Sequence, residues 1–249
     1  TGGFQDDSGN PITAIINQSF DKGKSLAQWL VNANPQGAIA PRDYLERLLA
    51  LAEKHGFTVL ADECYSEIWR AAAPTGALDV ATKLGTDPEK LAVFHSLSKR
   101  SNLPGLRSGF VAGGPESIRR FRQLRAYGGA PIPLPIQRVS ERAWSDEAHV
   151  DENRALYHEK FRIADQIFAG IQGYKAPDGG FFLWLPVEDG EAAALKLWRE
   201  TGVRVLPGGY LSRDAGGQNP GKGYIRVALV APQEETQRGL TRLRDCIYG

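Results

Sequence analysis

Short apolar segments alternate with amphipathic segments along most of this chain. Residues 42–55 carry apolar side chains at helical spacing, and Gly56 stands where a helix would end. Residues 57–61 are continuously apolar, which is typical of a strand buried in a parallel sheet. The same reasoning predicts strands over 91–95, 106–112, 180–186, 203–206 and 224–230, and helices over 115–126, 136–171, 191–201 and 233–248.

This alternation predicts an α/β fold with a parallel or mostly parallel sheet that helices cover on both faces. In such sheets, ligands bind beyond the carboxyl ends of the strands. The residues that follow each predicted strand are therefore the place to search for chemistry. Residues 1–25 are rich in Gly, Asn, Asp and Ser and give no comparable pattern.

The composition narrows the class of protein. Of the 249 residues, 42% are hydrophobic and 24% charged, as in ordinary globular proteins. The formal net charge of +1 gives no general attraction to nucleic acid or to anionic membranes. Cys64 and Cys246 are too few for a disulfide scaffold, and no His or Cys has metal-ligand spacing. We therefore expect a soluble protein of the reducing cytoplasm that binds no metal.

Several residues at the predicted strand ends carry candidate chemistry. Lys99 follows the strand 91–95 in a short loop rich in hydroxyl groups. Lysine side chains form Schiff bases with carbonyl compounds, and their pKa shifts readily on partial burial. Asp62 follows the strand 57–61, where a carboxylate needs a cationic partner. Tyr65 and Asn34 add polar groups beside that carboxylate.

A phosphate site is also consistent with these loops. Ser96, Ser98 and Arg107 have the chemistry to hold a phosphate, because arginine offers paired donors and serine adds hydroxyls. A simpler interpretation takes Lys99 and Arg100 as a surface charge pair and Arg107 as part of a surface ion pair. That interpretation does not explain why all these residue types follow predicted strands in one ordered set.

The ordered set resembles the motifs of class I/II aminotransferases, which are pyridoxal-phosphate enzymes of fold type I. The matching segments are NPQG at 34–37, ADECY at 61–65, SLSK at 96–99, NLPGLRSG at 102–109 and YIR at 224–226. The resemblance runs from about residue 30 to the C-terminus. It implies part of the large cofactor-binding domain over 30–132, followed by connecting helices and a small C-terminal α/β domain over 133–249.

The resemblance also implies a role for each matched residue. Lys99 would bind pyridoxal 5′-phosphate covalently and then move the proton at the substrate alpha carbon. Arg226 would bind the substrate carboxylate, with Asn34 beside it. The remaining cofactor contacts would be Asp62 at the pyridine nitrogen, Tyr65 and Asn34 at the phenolic oxygen, and Ser96 and Arg107 at the phosphate.

The segments CYSEI at 64–68, SNLPG at 101–105 and GGFFLW at 179–184 are most similar to N-succinyldiaminopimelate aminotransferases of lysine and diaminopimelate synthesis. The implied reaction moves an amino group from glutamate to N-succinyl-2-amino-6-oxopimelate. The alternatives are another class I aminotransferase (aspartate or aromatic), a carbon–sulfur lyase on the same fold, and a non-catalytic binding module. The implied partners are small amino-acid and keto-acid substrates and a second copy of the chain in a homodimer.

The N-terminal region departs from the family. A substantial stretch ahead of position 34 normally supplies phosphate-binding backbone, a ring stacked on the cofactor and a tyrosine that reaches the partner subunit. Residues 1–29 do not match that stretch, and the chain contains no Met. We therefore expect 1–29 to be an unmatched segment and the sequence to be part of a longer molecule.

Overall fold

The structure is a computed structural model that describes residues 37–212, 214 and 217–249, together with the backbone of short strands ahead of them. Asn34 and, apart from those strand backbones, the segment 1–29 lie outside the described residues. The strands are β1 (Phe4–Gln5), β2 (Pro11–Ile12), β3 (Ile15–Asn17), β4 (Leu26–Trp29), β5 (Thr58–Asp62), β6 (Leu91–Ser96), β7 (Gly109–Gly113), β8 (Phe182–Pro186), β9 (Leu206–Pro207) and β10 (Tyr224–Ala228). The helices are α1 (Arg42–His55), α2 (Ala77–Leu84), α3 (Leu97–Arg100), α4 (Pro115–Gly128), α5 (Leu134–Trp144), α6 (Ala148–Ile167), α7 (Gly190–Thr201) and α8 (Gln233–Tyr248).

The helices follow the predicted pattern closely. α1 and α8 have the predicted bounds, and the predicted region 136–171 divides into α5 and α6. α1 ends at Gly56, whose φ of 73° is left-handed and whose N–H donates to the Ala52 carbonyl oxygen. No pattern predicts α2, which has only 8 residues. Within the described part of the chain, none of the helices combines the length and the apolar character needed to cross a membrane.

The larger sheet has the strand order β3-β4-β5-β6-β7. β4, β5 and β6 pair in parallel, whereas β3 pairs with β4 and β7 with β6 in antiparallel fashion. The α/β fold class is therefore confirmed, and the sheet is mixed, with its parallel pairings in the centre. β7 reverses because its connection to β6 holds only the single turn of α3 and a 3-10 turn at Pro104–Leu106, so the chain does not cross a face of the sheet.

The main hydrophobic core lies between the central strands and the helices α1 and α2. α1 turns Leu45, Leu48 and Leu49 inward at positions i, i+3 and i+4, where each is at most 2% exposed. These leucines belong to one buried cluster with Val59 of β5 and Val93 of β6. The cluster holds the central strands in place and leaves their polar ends at the edge of the sheet.

The described chain divides into two compact units, with Ile39–Asp151 forming most of the first and Glu152–Gly249 most of the second. The second unit contains an antiparallel sheet of order β8-β10-β9. Leu183, Leu185 and Ile225 of that sheet are fully buried, which places their alternate neighbours on the other face. The predicted domain boundaries at 29/30 and 132/133 stay predictions.

Candidate active site

The topology of the larger sheet brings the predicted polar residues of the first unit to one edge. β5 and β6 are parallel, so Asp62 and Ser96, their last residues, stand at the same edge. β7 runs the other way, and its first residue, Gly109, pairs with Ser96. Arg107, which precedes β7, and Lys99, in the helix that follows β6, therefore belong to this edge as well.

The charges of Asp62 and Lys99 both act on the thiol of Cys64, and Lys99 also lies over the ring of Tyr65. The Cys64 N–H donates to Asp62 Oδ1 at 3.1 Å, and Lys99 Nζ lies 5.6 Å from the centre of the Tyr65 ring. Burial raises the pKa of Cys64 to about 12, with the hydrogen bond and negative charge of Asp62 adding to the effect and the positive charge of Lys99 opposing it. The carboxylate and the ammonium thus act on the same atom. Cys64 stays a neutral thiol, which suits a small filler and not a nucleophile.

Ser96 starts the helix that carries Lys99. Its Oγ accepts a hydrogen bond from the Ser98 N–H at 3.1 Å, which caps α3. The same hydroxyl lies 3.0 Å from Ser98 Oγ and 3.3 Å from the carbonyl oxygen of Ser108. The hydroxyl groups of Ser96 and Ser98 are therefore adjacent, as a site for an anion requires.

Arg107 is exposed at the start of β7. Its backbone has a φ of 50°, and its Nη1 donates to the Pro104 carbonyl oxygen at 2.9 Å. A left-handed φ is uncommon for a residue with a side chain, and such positions cluster at ligand sites. The structure thus places Arg107 at the predicted edge, with its guanidinium hydrogen-bonded to its own loop.

Glu63 and His95 form a second polar pair that the sequence analysis missed. Glu63 is 4% exposed; its Oε1 accepts from the Ala77 N–H at 2.7 Å, and its Oε2 lies 3.4 Å from His95 Nε2. The carboxylate therefore caps the start of α2 while it joins β5 to β6. Side chains alternate along strands, so His95 points away from its neighbour Ser96 in β6. The only signal was an acidic residue directly after an apolar strand.

Arg100 corrects one interpretation of the sequence. It does not form a surface charge pair with Lys99, because its side chain is 8% exposed and its Nη1 donates to the Ala143 carbonyl oxygen at 2.9 Å. Its other nitrogen, Nη2, pairs with the Glu147 carboxylate. A fully buried charge requires such partners, and Ala143 and Glu147 lie too far along the sequence for a local pattern to identify them.

Arg226 belongs to the second unit, in the middle of β10. It pairs with Trp184 of β8, and its guanidinium carbon lies 4.2 Å from the centre of the Phe182 ring. Side chains at i and i+2 share a face, so Tyr224 and Arg226 stand together, opposite to buried Ile225. The result is a half-buried cation on an aromatic surface.

Comparisons with known proteins identify the family of this chain. The family model described as aminotransferase class I and II matches residues 31–243. The 4-dedimethylamino-4-oxo-anhydrotetracycline transaminase OxyQ of Streptomyces rimosus is 34% identical over 238 residues, which are 94% of this chain and 64% of that protein. An LL-diaminopimelate aminotransferase of Dehalococcoides mccartyi is 31% identical over 246 residues, which are 94% of this chain and 59% of the relative.

A solved aminotransferase structure from Neisseria meningitidis is 42% identical, with a TM-score of 0.83 over 88% of this chain and 57% of that chain. The chain therefore spans between about half and two thirds of the length of these relatives. In the part of the chain that the structure describes, no group of three or more His, Cys, Asp or Glu side chains is placed to hold a metal ion.

The donor set of the first unit fits pyridoxal phosphate. A carboxylate and an amine both act on Cys64, and paired serine hydroxyls and a guanidinium stand at the same strand ends. These are the groups that an aldehyde, a protonated ring nitrogen and a phosphate each require. With the family match over 31–243, this chain belongs to the class I and II aminotransferases, pyridoxal-phosphate enzymes of fold type I.

Proposed function

We propose that the molecule to which this chain belongs is a transaminase that moves an amino group from glutamate to a keto or aldehyde acceptor. The observation that carries the proposal is the position of Lys99 and Asp62, which stand at the same edge of the sheet, Asp62 at the end of β5 and Lys99 in the helix that follows the parallel strand β6. An amine beside a carboxylate at the ends of parallel strands is the minimum that a pyridoxal-phosphate reaction needs from the chain.

Lys99 would hold the cofactor and move a proton. When bound, pyridoxal phosphate supplies an aldehyde that reacts with amines and a ring that withdraws electrons from the substrate alpha carbon. Lys99 Nζ, in its neutral form, would accept the proton from the substrate alpha carbon and pass it to the cofactor. Its place over the Tyr65 ring limits the directions in which the amine can point.

The other residues of the edge would bind and orient the cofactor. Asp62 would keep the ring nitrogen protonated through its negative charge, and Tyr65 and Asn34 would bond the phenolic oxygen. Ser96 and Arg107 bind the phosphate, and the adjacent Ser98 hydroxyl adds a further donor. By holding the phosphate, these residues would fix the orientation of the cofactor relative to Lys99.

Arg226 would bind the alpha-carboxylate of the substrate. Its guanidinium offers two parallel donors, and its contact with the Phe182 ring holds the plane of the group in one orientation. A carboxylate held at two points fixes which bond of the alpha carbon is broken.

We propose N-succinyl-2-amino-6-oxopimelate as the acceptor, in the direction that forms N-succinyldiaminopimelate. The segments at 64–68, 101–105 and 179–184 support this choice. A second candidate reaction has LL-diaminopimelate as the amino donor and 2-oxoglutarate as the acceptor, because several relatives, including the one from Dehalococcoides mccartyi, are named LL-diaminopimelate aminotransferases. We also propose a homodimer in the cytoplasm, the assembly that the family resemblance implies.

The first experiment tests the amine. The chain is incubated with pyridoxal phosphate, reduced with borohydride and digested, and the labelled peptide is found by mass spectrometry. We expect a yellow band and a label on Lys99. Lys99→Ala should abolish both and lower any transfer rate by about 10²–10⁴-fold, the usual loss with a general acid–base group. Lys83→Ala, an exposed lysine paired with Asp79, is the control and should change neither.

Absence of colour and label in the unaltered chain would contradict the proposal. The substrate is tested by comparing two values of kcat/KM. One is for N-succinyl-2-amino-6-oxopimelate as the acceptor with glutamate as the donor, and the other is for LL-diaminopimelate as the donor with 2-oxoglutarate as the acceptor. Release of pyruvate and ammonia without an acceptor would instead identify a carbon–sulfur lyase.

A further inference from the structure

The helix that carries Lys99 is too short to be stable without contacts to the rest of the unit. α3 consists of the 4 residues Leu97–Arg100, which is about one turn. One turn fixes several backbone angles for very few hydrogen bonds, so it is not stable alone. The orientation of Lys99 must therefore come from contacts made outside the helix.

The start of α3 is held from the strand side. Ser96 caps it, and the Leu97 N–H donates to the Ser108 carbonyl oxygen at 3.1 Å. These bonds fix the first residue of the turn. Lys99 is near the other end, where the chain leaves the sheet, and its direction depends on what holds Arg100 and Ser101.

Arg100 joins the end of α3 to the end of α5. Its Nη1 donates to the carbonyl oxygen of Ala143, one of the last carbonyls of α5, which lack partners within the helix. Its Nη2 pairs with Glu147, and its guanidinium carbon lies 5.0 Å from the centre of the Trp144 ring. Trp144 in turn packs edge-on against Phe110 of β7, with ring centroids 4.9 Å apart. The Arg100 guanidinium is thus held by three residues at or just after the C-terminal end of α5.

Ser101 makes a second connection to the same region. Its Oγ lies 2.8 Å from His149 Nε2, and His149 Nδ1 lies 3.2 Å from Asp146 Oδ2. The order Ser–His–Asp is also that of hydrolase triads. Here, however, Ser101 is buried and its N–H is bonded to the Leu97 carbonyl oxygen, so it closes the turn and presents no nucleophile.

We propose that Arg100 and Ser101 are positioning residues for Lys99, fastening the end of α3 to the turn between α5 and α6 and so fixing the direction of its amine. The proposal rests on the proposed function only in taking Lys99 as the reacting amine. Because Arg100 and Ser101 are the two residues after Lys99, loss of either contact frees the backbone beside the amine. Displacement of a reacting group by about 1 Å lowers its rate by about 10²-fold.

The test uses Arg100→Met and Ser101→Ala, with Arg138→Met as the control, an exposed arginine on the same helix α5. Arg100→Lys is the conservative variant; it keeps the charge but loses the planar pair of donors. Three quantities are measured at a temperature where every variant is fully folded by circular dichroism. They are hydrogen exchange of peptides covering 97–103, the acetylation rate of Lys99 relative to Lys54 in the cofactor-free chain, and the rate at which Lys99 captures pyridoxal phosphate.

We expect Arg100→Met to raise exchange over 97–103 by about 10-fold and to leave exchange over α1 unchanged, because the opening is local. The relative acetylation of Lys99 should rise several-fold, and cofactor capture should slow by about 10- to 100-fold, with Arg100→Lys in between. Arg138→Met should match the unaltered chain.

The outcomes separate the two proposals. If exchange over 97–103 becomes faster in Arg100→Met but the acetylation of Lys99 does not change, then Arg100 holds α3 in place without positioning Lys99. That result would overturn the inference. Unchanged exchange in Arg100→Met and Ser101→Ala would overturn it as well. If exchange and acetylation respond but the unaltered chain captures no cofactor, the positioning role stands and the transaminase proposal fails.

Discussion

The two compact units hold their charged groups in different ways. In the first unit, Asp62, Ser96 and Lys99 stand at the ends of neighbouring strands, and the charges of Asp62 and Lys99 act on one thiol. In the second unit, Arg226 stands within a strand, on an aromatic surface formed with Phe182. The first arrangement depends on the order and direction of several strands. The second arrangement depends on the register of a single pair of strands, β8 and β10.

This difference predicts how substitutions should behave. Groups that share a hydrogen bond or a partner show coupled effects, so a change at Asp62 should also be detected at Cys64. A change at Arg226 should affect carboxylate binding and little else. The following experiments test this contrast, beginning with the largest expected effect.

Asp62→Asn should have the largest effect. The amide keeps the shape and the oxygen that accepts from the Cys64 N–H, but it removes the negative charge. We expect the transfer rate to fall by about 10²–10³-fold, the usual loss with one preorganised electrostatic group. The pKa of Cys64 should fall in the same variant, because Asp62 raises it.

Asp43→Asn is the matched control, since Asp43 pairs with Arg47 on the exposed side of α1. Stopped-flow kinetics give the transfer rate, and the pH dependence of thiol alkylation gives the pKa of Cys64. An unchanged transfer rate together with a lowered thiol pKa would remove Asp62 from the reaction but keep it in the cluster.

Arg226→Met should come next. A hydrogen bond to a charged group contributes about 1.5–3 kcal/mol, so we expect KM for glutamate to rise by about 10- to 100-fold with a smaller change in kcat. Arg226→Lys should recover part of the loss, because it keeps the charge but not the paired donors. Arg238→Met on the exposed face of α8 serves as the control. A kcat effect larger than the KM effect would show that Arg226 does more than bind the carboxylate.

The sequence predicts some helices and part of the candidate site closely. α1 and α8 were predictable to the residue because their apolar positions repeat at helical spacing and Gly or Pro marks the ends. The grouping of Asp62 with Lys99 followed from one rule about the ends of parallel strands. That rule needs only the order of the elements, not their packing.

The partners of Glu63 and Arg100 were not predictable in this way. Arg100 bonds to Ala143 and Glu147, more than forty positions away. Glu63 meets the Ala77 N–H at the start of a helix that itself gave no clear pattern. Arg100 has the sequence pattern of a surface charge and Glu63 gives no pattern of its own, because the burial of both residues depends on how α2 and α5 pack on the sheet.

Gly37→Ala should lower the free energy of unfolding of the second unit. Gly37 has a φ of 75°, and a Cβ there would lie 2.5 Å from the Cβ of Pro177. Its carbonyl oxygen also accepts from the N–H groups of Asp178 and Gly179 at 2.8 and 3.0 Å. We expect a loss of about 2–4 kcal/mol in the free energy of unfolding, the sum of the left-handed backbone cost and the steric overlap.

Gly202→Ala is the control for backbone strain alone. It lies in the same unit with a φ of 74°, and a Cβ there would meet nothing within 4 Å. We expect a loss of about 1 kcal/mol in this variant. Urea denaturation of both variants measures the difference. Equal losses would show that the contact with Pro177 relaxes at no cost.

The smallest effect concerns the reactivity of Cys64. With a pKa of about 12, its thiolate fraction at pH 8 is about 10⁻⁴, so alkylation should be slow and should rise about tenfold per pH unit up to pH 11. Lys99→Met removes the positive charge that lowers this pKa, and the pKa should therefore rise further. At pH 10 we expect alkylation in that variant to slow by several-fold relative to Lys83→Met, the exposed control on α2. The rate is measured by mass spectrometry of the Cys64 peptide. Equal rates in the two variants would mean that Lys99 does not act on the thiol, and the first unit would then lose the coupling that distinguishes it from the second.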